Sequence, residues 1–326
     1  MNFSRKNVIG TMLLLNLLAA VSLASANPVS LPALKEKQFD GRELKLVKVL
    51  AKNAIYTRYY ITYKSGQLTI SGIMNVPQGR GPFPVIITNH GYINPAVYTN
   101  GRGLKREQDY LARHGYAVLH PDYRNHNGSD KTTGDSLEQH LGYVEDVINA
   151  VYAIKNSRLS SLDKERIGLL GHSLGGGIAL SVMVTKPDLV KAYVLFAPMS
   201  SDYRDNYYRW IAKHREPKYG SPEATRQIIA KYGSPESNPQ FWDEISAKTY
   251  IDEVKTPVLV HHGTADKSVP LAWSEKLARL FAEHKKQLKL EEYPGEPHEF
   301  IKAWPLVMKR TVDFFDLYLK QVQTTT

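Results

Sequence analysis

The 326 residues predict an α/β fold: a mostly parallel central sheet with helices on both faces, antiparallel strands at its N-terminal edge and a small helical cap insertion. Three observations carry this. Short apolar runs alternate with amphipathic helical segments from residue 83 to the C-terminal region, the pattern of βαβ units. Three runs between residues 39 and 77 instead alternate apolar and polar positions across Ser/Gly turns, as antiparallel strands do. A stretch of about 50 residues, 199–254, is rich in Tyr, Pro and Trp and has no strand-like run.

In order, "LKLVKVLAKN", "TRYYITYKSG" and "QLTISGIMNVP" form the edge strands. "GPFPVIITNHG" follows, with Val85–Thr88 as a fully buried strand. "EQDYLARHG" reads as an amphipathic helix stopped at Gly115, and "YAVLHPDYR" as the next buried strand. Leu141, Val144, Val147, Ile148 and Val151 recur at helical spacing in a long helix. "RIGLL", "KAYVLFAP", "PVLVHHG" and "LKLEEYPG" complete the strands, and "AWSEKLARLFAEH" and "PLVMKRTVDFFDLYLK" the late helices. Segment 199–254 is expected to cap the C-terminal end of the sheet.

Residues 1–26 read as a signal peptide, with Arg5 and Lys6 before the apolar stretch Val8–Leu23 and an Ala24-Ser25-Ala26 cleavage site. Residues 27–326 are then one mature catalytic domain, secreted or periplasmic, with no stable membrane insertion after cleavage. Cysteine is absent, which excludes a thiol nucleophile and thiolate metal sites. The histidines show no metal-ligand spacing, so neither a metal nor another cofactor is expected. The net charge is +10, or +8 once Arg5 and Lys6 are set aside, but the cations are spread along the chain, so no nucleic-acid partner is expected.

Between "RIGLL" and the helix from Ile178 lies Gly171-His172-Ser173-Leu174-Gly175, a G-x-S-x-G followed by Gly176 and Gly177. The pattern alone is weak; in a strand–turn–helix setting it is a nucleophile elbow, with small neighbours letting strand and helix close up. Ser173 would stand exposed on strained backbone. The Leu174 N–H would face a developing oxyanion. A serine needs a base, and the base needs an orienting carboxylate. In α/β hydrolases these follow in the order Ser, acid, His. Asp266 lies just beyond the strand Val258–Val260, and His298 lies in the loop after the last strand. Asp266 also reads as an Asx-turn or helix-capping residue. Asp202 is the best rival acid. His261 and His262 read as locally bonded, and His172 as lying beside the nucleophile. "NHGY" after the first buried strand offers the Tyr92 backbone N–H as second oxyanion donor. Tyr203, Tyr207, Tyr208, Trp210 and Trp242 either line an acyl pocket or pack the cap onto the sheet.

Together "NHGY", "HPDYR", "GHSLGGGIAL", "PVLVHHGTADKSVP" and "YPGEPHEF" resemble the catalytic domain of the prolyl oligopeptidase family of serine peptidases, within the α/β-hydrolase superfamily. The resemblance spans roughly residues 70–318. It implies Ser173 as nucleophile, Asp266 as acid and His298 as base, acting on a small ester or short peptide. Members usually carry a large N-terminal β-propeller, and only about 45 mature residues precede the match here. Peptidase and carboxylesterase therefore both stand as expectations, with a non-catalytic binding protein on the same scaffold as a third. Oligomeric state is not legible in the sequence.

Overall fold

The computed structural model describes residues 27–212 and 221–320. The predicted signal peptide lies outside the described residues. Among those residues, nine strands form one mixed sheet in the order β1-β2-β3-β5-β4-β6-β7-β8-β9. Three antiparallel strands, β1 (Arg42–Lys52), β2 (Tyr56–Ser65) and β3 (Leu68–Pro77), make one edge. From β4 (Phe83–Asn89) onward, β5 (Ala117–Pro121), β6 (Leu162–His172), β7 (Ala192–Phe196), β8 (Val258–Gly263) and β9 (Leu288–Tyr293) run parallel to one another.

The apolar strand runs are continuous because both faces are covered. In β4, Val85 and Ile87 enter one core while Ile86 enters the other; in β8, Val258 and Val260 part from Leu259 in the same way. The first core packs under α3 (Ser136–Lys155) and α4 (Leu174–Thr185), with α1 (Leu31–Glu36) beside them and α8 (Leu271–Glu283) contributing Leu277 and Phe281. The second lies under α2 (Lys105–Arg113) and α9 (Trp304–Leu319). Asp135 starts α3 with a reciprocal capping box to Glu138. The six-residue helix α1 lies ahead of the segments read as strands, and its periodicity is too short to signal a helix.

Between β7 and β8 the regular structure of the described residues is helical, with loops between: α5 (Tyr203–Asn206), a π turn over Tyr207–Ile211, α6 (Pro222–Tyr232), α7 (Pro239–Glu244) and a 3-10 stretch over Ala247–Glu253. Tyr203, Tyr207, Trp242, Tyr232 and Phe241 form a small core of their own, closed by Leu137 of α3. This settles the two readings of the aromatics: Tyr203, Tyr207 and Trp242 are packing residues, and Trp242 is fully buried. Trp210 turns instead against Trp273, edge to face at 5.4 Å, and Tyr208 stays partly exposed.

Candidate active site

The turn from β6 into α4 is as tight as its composition requires. Ser173 has φ 56° and ψ −117°, a conformation that costs an L-residue about 1–3 kcal/mol. The surroundings hold it there: its N–H donates to Phe196 O at 2.9 Å, and its carbonyl accepts from the N–H groups of Gly176, Gly177 and Met199 at 3.0–3.1 Å. The glycines are close-approach residues. A Cβ on Gly171 would fall 2.3 Å from Gly175 O, and one on Gly175 would fall 2.1 Å from Asn89 O. The first turn of α4 thus lies on the ends of β4 and β6, with Leu174 as its first residue.

Asp266 and His298 meet. The Nδ1 of His298 donates to Asp266 Oδ2 at 2.6 Å. A carboxylate oxygen only accepts, so Nδ1 carries a proton and Nε2 is the nitrogen turned away from Asp266. The Asp266 side chain is fully buried, and that of His298 is 10% exposed. The other Asp266 oxygen accepts the N–H groups of Ser268 and Val269 at 2.8 and 2.9 Å, so the Asx-turn reading and the pairing with His298 are both realised. Burial acts to raise the Asp266 pKa, but the hydrogen bonds from His262 and His298, with the backbone donors, outweigh it and hold the carboxyl well below the usual carboxylate range. The rival Asp202 is engaged elsewhere: it caps α5 and pairs with Lys248 at 2.8 Å.

Two histidines do more than their sequence context suggested. His262 Nε2 lies 3.1 Å from Val269 O and 3.3 Å from Asp266 Oδ2, so its proton steadies the carboxylate while Ser274 Oγ meets Nδ1 at 2.7 Å. His172 packs its ring on that of His298, with centroids 4.4 Å apart, and donates from Nε2 to the His298 carbonyl at 3.2 Å. Burial, and then the neighbouring His298, lower its pKa to about 3, so it is a neutral strut. Neither role had a sequence signal, because both depend on loops brought together from distant elements. Glu296 is a third such residue: its buried carboxylate accepts the backbone N–H groups of Ile301, Lys302 and Ala303 and fixes the loop after His298.

The Gly91–Tyr92 turn lies against the elbow; a Cβ on Gly91 would come 3.2 Å from Ser173 Cβ. It is anchored by His90, which stacks on Tyr98 and Tyr123 at 4.9 and 4.3 Å and bonds through Nδ1 to Gly91 O at 2.7 Å. Burial, with His120 and His126 alongside, pushes the His90 pKa down to about 3, so that anchor is neutral too. No cluster of metal-ligating side chains occurs among the described residues.

The fold has counterparts among known proteins. The chain is 27% identical over 274 residues, or 82% of its length, to the Bacillus subtilis protein named uncharacterized peptidase YuxL. It is 26% identical over 231 residues to the acylamino-acid-releasing enzyme of Rattus norvegicus. It spans only 39% and 29% of those two proteins. Among solved structures, the acylaminoacyl peptidase of Pyrococcus horikoshii matches with a TM-score of 0.63 at 22% identity, covering 83% of this chain and 43% of that one. Acetyl xylan esterase 1 from a Thermoanaerobacterium species matches with a TM-score of 0.63 at 19% identity, covering 85% and 87%. These likenesses show the α/β-hydrolase fold. The profile of the prolyl oligopeptidase family matches residues 102–322, from the loop before α2 through α9, and the chain belongs to that family.

Proposed function

We propose that this protein is a serine hydrolase that cleaves peptide, amide or ester bonds through an acyl-enzyme. The observation that carries the reading is the 2.6 Å pairing of Asp266 with His298, whose ring rests on the residue preceding a strained Ser173. Ser173 Oγ attacks the substrate carbonyl while His298 Nε2 takes its proton. The C–O or C–N bond to the leaving group then breaks, and His298 returns that proton to the departing atom. Water, deprotonated by the same nitrogen, attacks the acyl carbon and releases the acid and Ser173. Asp266 keeps the imidazole in the productive tautomer and stabilises its charged form. The Leu174 and Tyr92 N–H groups hold the oxyanion, each worth about 10²–10³ in turnover.

Peptides and amides are the leading substrates, by family. Esters are the second reading, supported by the match over 87% of an acetyl xylan esterase chain. The segment between β7 and β8 serves as a cap over the site. Export follows from the N-terminal sequence, and N-terminal sequencing of the mature protein tests it. Among the described residues no helix is long and apolar enough to cross a membrane.

The test is covalent. A fluorophosphonate probe should label the wild type at Ser173 and leave Ser173→Ala unlabelled, with ester and peptide turnover down about 10⁴–10⁶-fold. Equal labelling of both proteins would reject the reading and favour a binding protein on this scaffold.

A further inference from the structure

A cavity of about 480 Å³ opens beside the triad, and its walls are next neighbours of the reacting groups. His172 immediately precedes Ser173, Phe196 accepts the Ser173 amide, and Glu299 and Phe300 directly follow His298. The remaining wall is the loop from Thr99 into the first turn of α2. Leu104, Phe196 and Phe300 make part of this lining apolar. Arg102, Lys105 and Arg106 add three cations to it, beside Glu107 and Glu299.

The charges do not cancel locally. The buried Glu107 is engaged by Trp304 Nε1 at 2.6 Å and by Arg106 at 3.4 Å. Arg106 also donates to the carbonyls of Glu299 and Phe300 at 2.8 and 3.4 Å, so it is part of the wall. Arg102 gives Nη1 to Val97 O at 2.6 Å and pairs with no carboxylate among the described residues. Lys105 has no ion-pair partner among the described residues. Among the described lining residues, the exposed Glu299 carboxylate is the one opposing charge left, against two cations, Arg102 and Lys105, with no carboxylate partner there.

We propose that this cavity receives the leaving portion of the substrate, and that this portion combines an apolar body with a carboxylate. The inference rests on the hydrolase reading above. In that chemistry the departing atom takes its proton from His298, so the leaving portion lies on the histidine's side, where residues 299–300 begin the cavity wall. An apolar group fits against Phe196 and Phe300, and its carboxylate meets Arg102 and Lys105. Such exposed pairs are individually modest and additive only in part, so together they favour the anionic substrate by about tenfold.

The experiment compares 3-acetoxybenzoate with methyl 3-acetoxybenzoate, which share the acyl group and differ in the charge of the leaving group. Rates are divided by those for hydroxide. The wild type should prefer the carboxylate about tenfold in kcat/KM, mainly through KM, and the preference should shrink at about 0.5 M salt. In Arg102→Gln/Lys105→Gln the ratio should fall to about one. Arg102→Glu/Lys105→Glu should invert it and favour 3-(trimethylammonio)phenyl acetate, an outcome that misfolding cannot mimic. A wild-type ratio near one, or a ratio the double variants leave unchanged, overturns the subsite while the hydrolase reading stands. Failure of the wild type to hydrolyse either ester or to take up a fluorophosphonate overturns both.

Discussion

Asp266→Asn tests the proposed triad, because the surroundings dictate which way the new amide turns. One Asp266 oxygen accepts two backbone N–H groups, from Ser268 and Val269. An NH₂ placed there would face two donors, so the amide oxygen must take that side. The NH₂ then points at His298 Nδ1, where the carboxylate oxygen had accepted at 2.6 Å. Two donors cannot share a hydrogen bond, so the ring shifts its proton to Nε2 and offers Nδ1 as acceptor. Nε2 is then protonated and cannot deprotonate Ser173. His262 keeps its proton directed at Val269 O, so the pocket survives the change. A wrong-tautomer triad loses about 10⁴ in kcat, or about 5.5 kcal/mol of transition-state stabilisation. Steady-state hydrolysis of p-nitrophenyl acetate measures it, with KM expected to move little and fluorophosphonate labelling to slow in parallel. A folded variant whose kcat stays within about tenfold of wild type would refute the tautomer argument.

Two further predictions concern the scaffold. Gly175→Ala would drive a methyl into the Asn89 carbonyl, a backbone atom that cannot swing aside, and should cost about 3 kcal/mol or more; a soluble variant with an unchanged melting temperature would contradict the close-approach reading. The fold should also weaken on acidification before Asp266 titrates. Burial foremost lowers the pKa of His90, His120, His172 and His261 to about 3 and that of His140 to about 4, from an ordinary 6.5. Below that ordinary value the unfolded chain binds protons that the folded chain refuses, so stability falls as pH drops from 6.5 toward 4. Asp266 adds its loss only lower, because its depressed folded pKa stabilises the protein above the unfolded value of about 3.9 and that contribution fades as pH falls through and below it. Urea midpoints at about pH 7.5, 6 and 4.5 check this, and a flat profile across that range would sink it.

Much of the architecture was legible because most strands and longer helices declare themselves over a few residues, whereas the six-residue α1 does not. Alternation over residues 39–77 marked the antiparallel edge, and the unbroken apolar runs after it marked strands covered on both faces. The Gly-x-Ser-x-Gly-Gly-Gly run signalled a close approach once it was set between a strand and a helix, since only a backbone without Cβ atoms lets α4 lie against β4. Asp266 and His298 were legible as candidates by type, order and position at strand ends. What sequence could not supply was anything set by which loops meet. That His172 braces His298, that His262 shares Asp266, that Glu296 closes the loop behind His298, and that Asp202 pairs with Lys248 all depend on side chains brought together from separate elements. The cavity beside the triad belongs to the same class, since its walls come from four stretches far apart in the chain. Local backbone preference and apolar periodicity are written residue by residue, so the chain alone determines its layers and its elbow. Hydrogen bonds and voids between loops exist only once the core has fixed the distances among them, and there the tertiary structure decides.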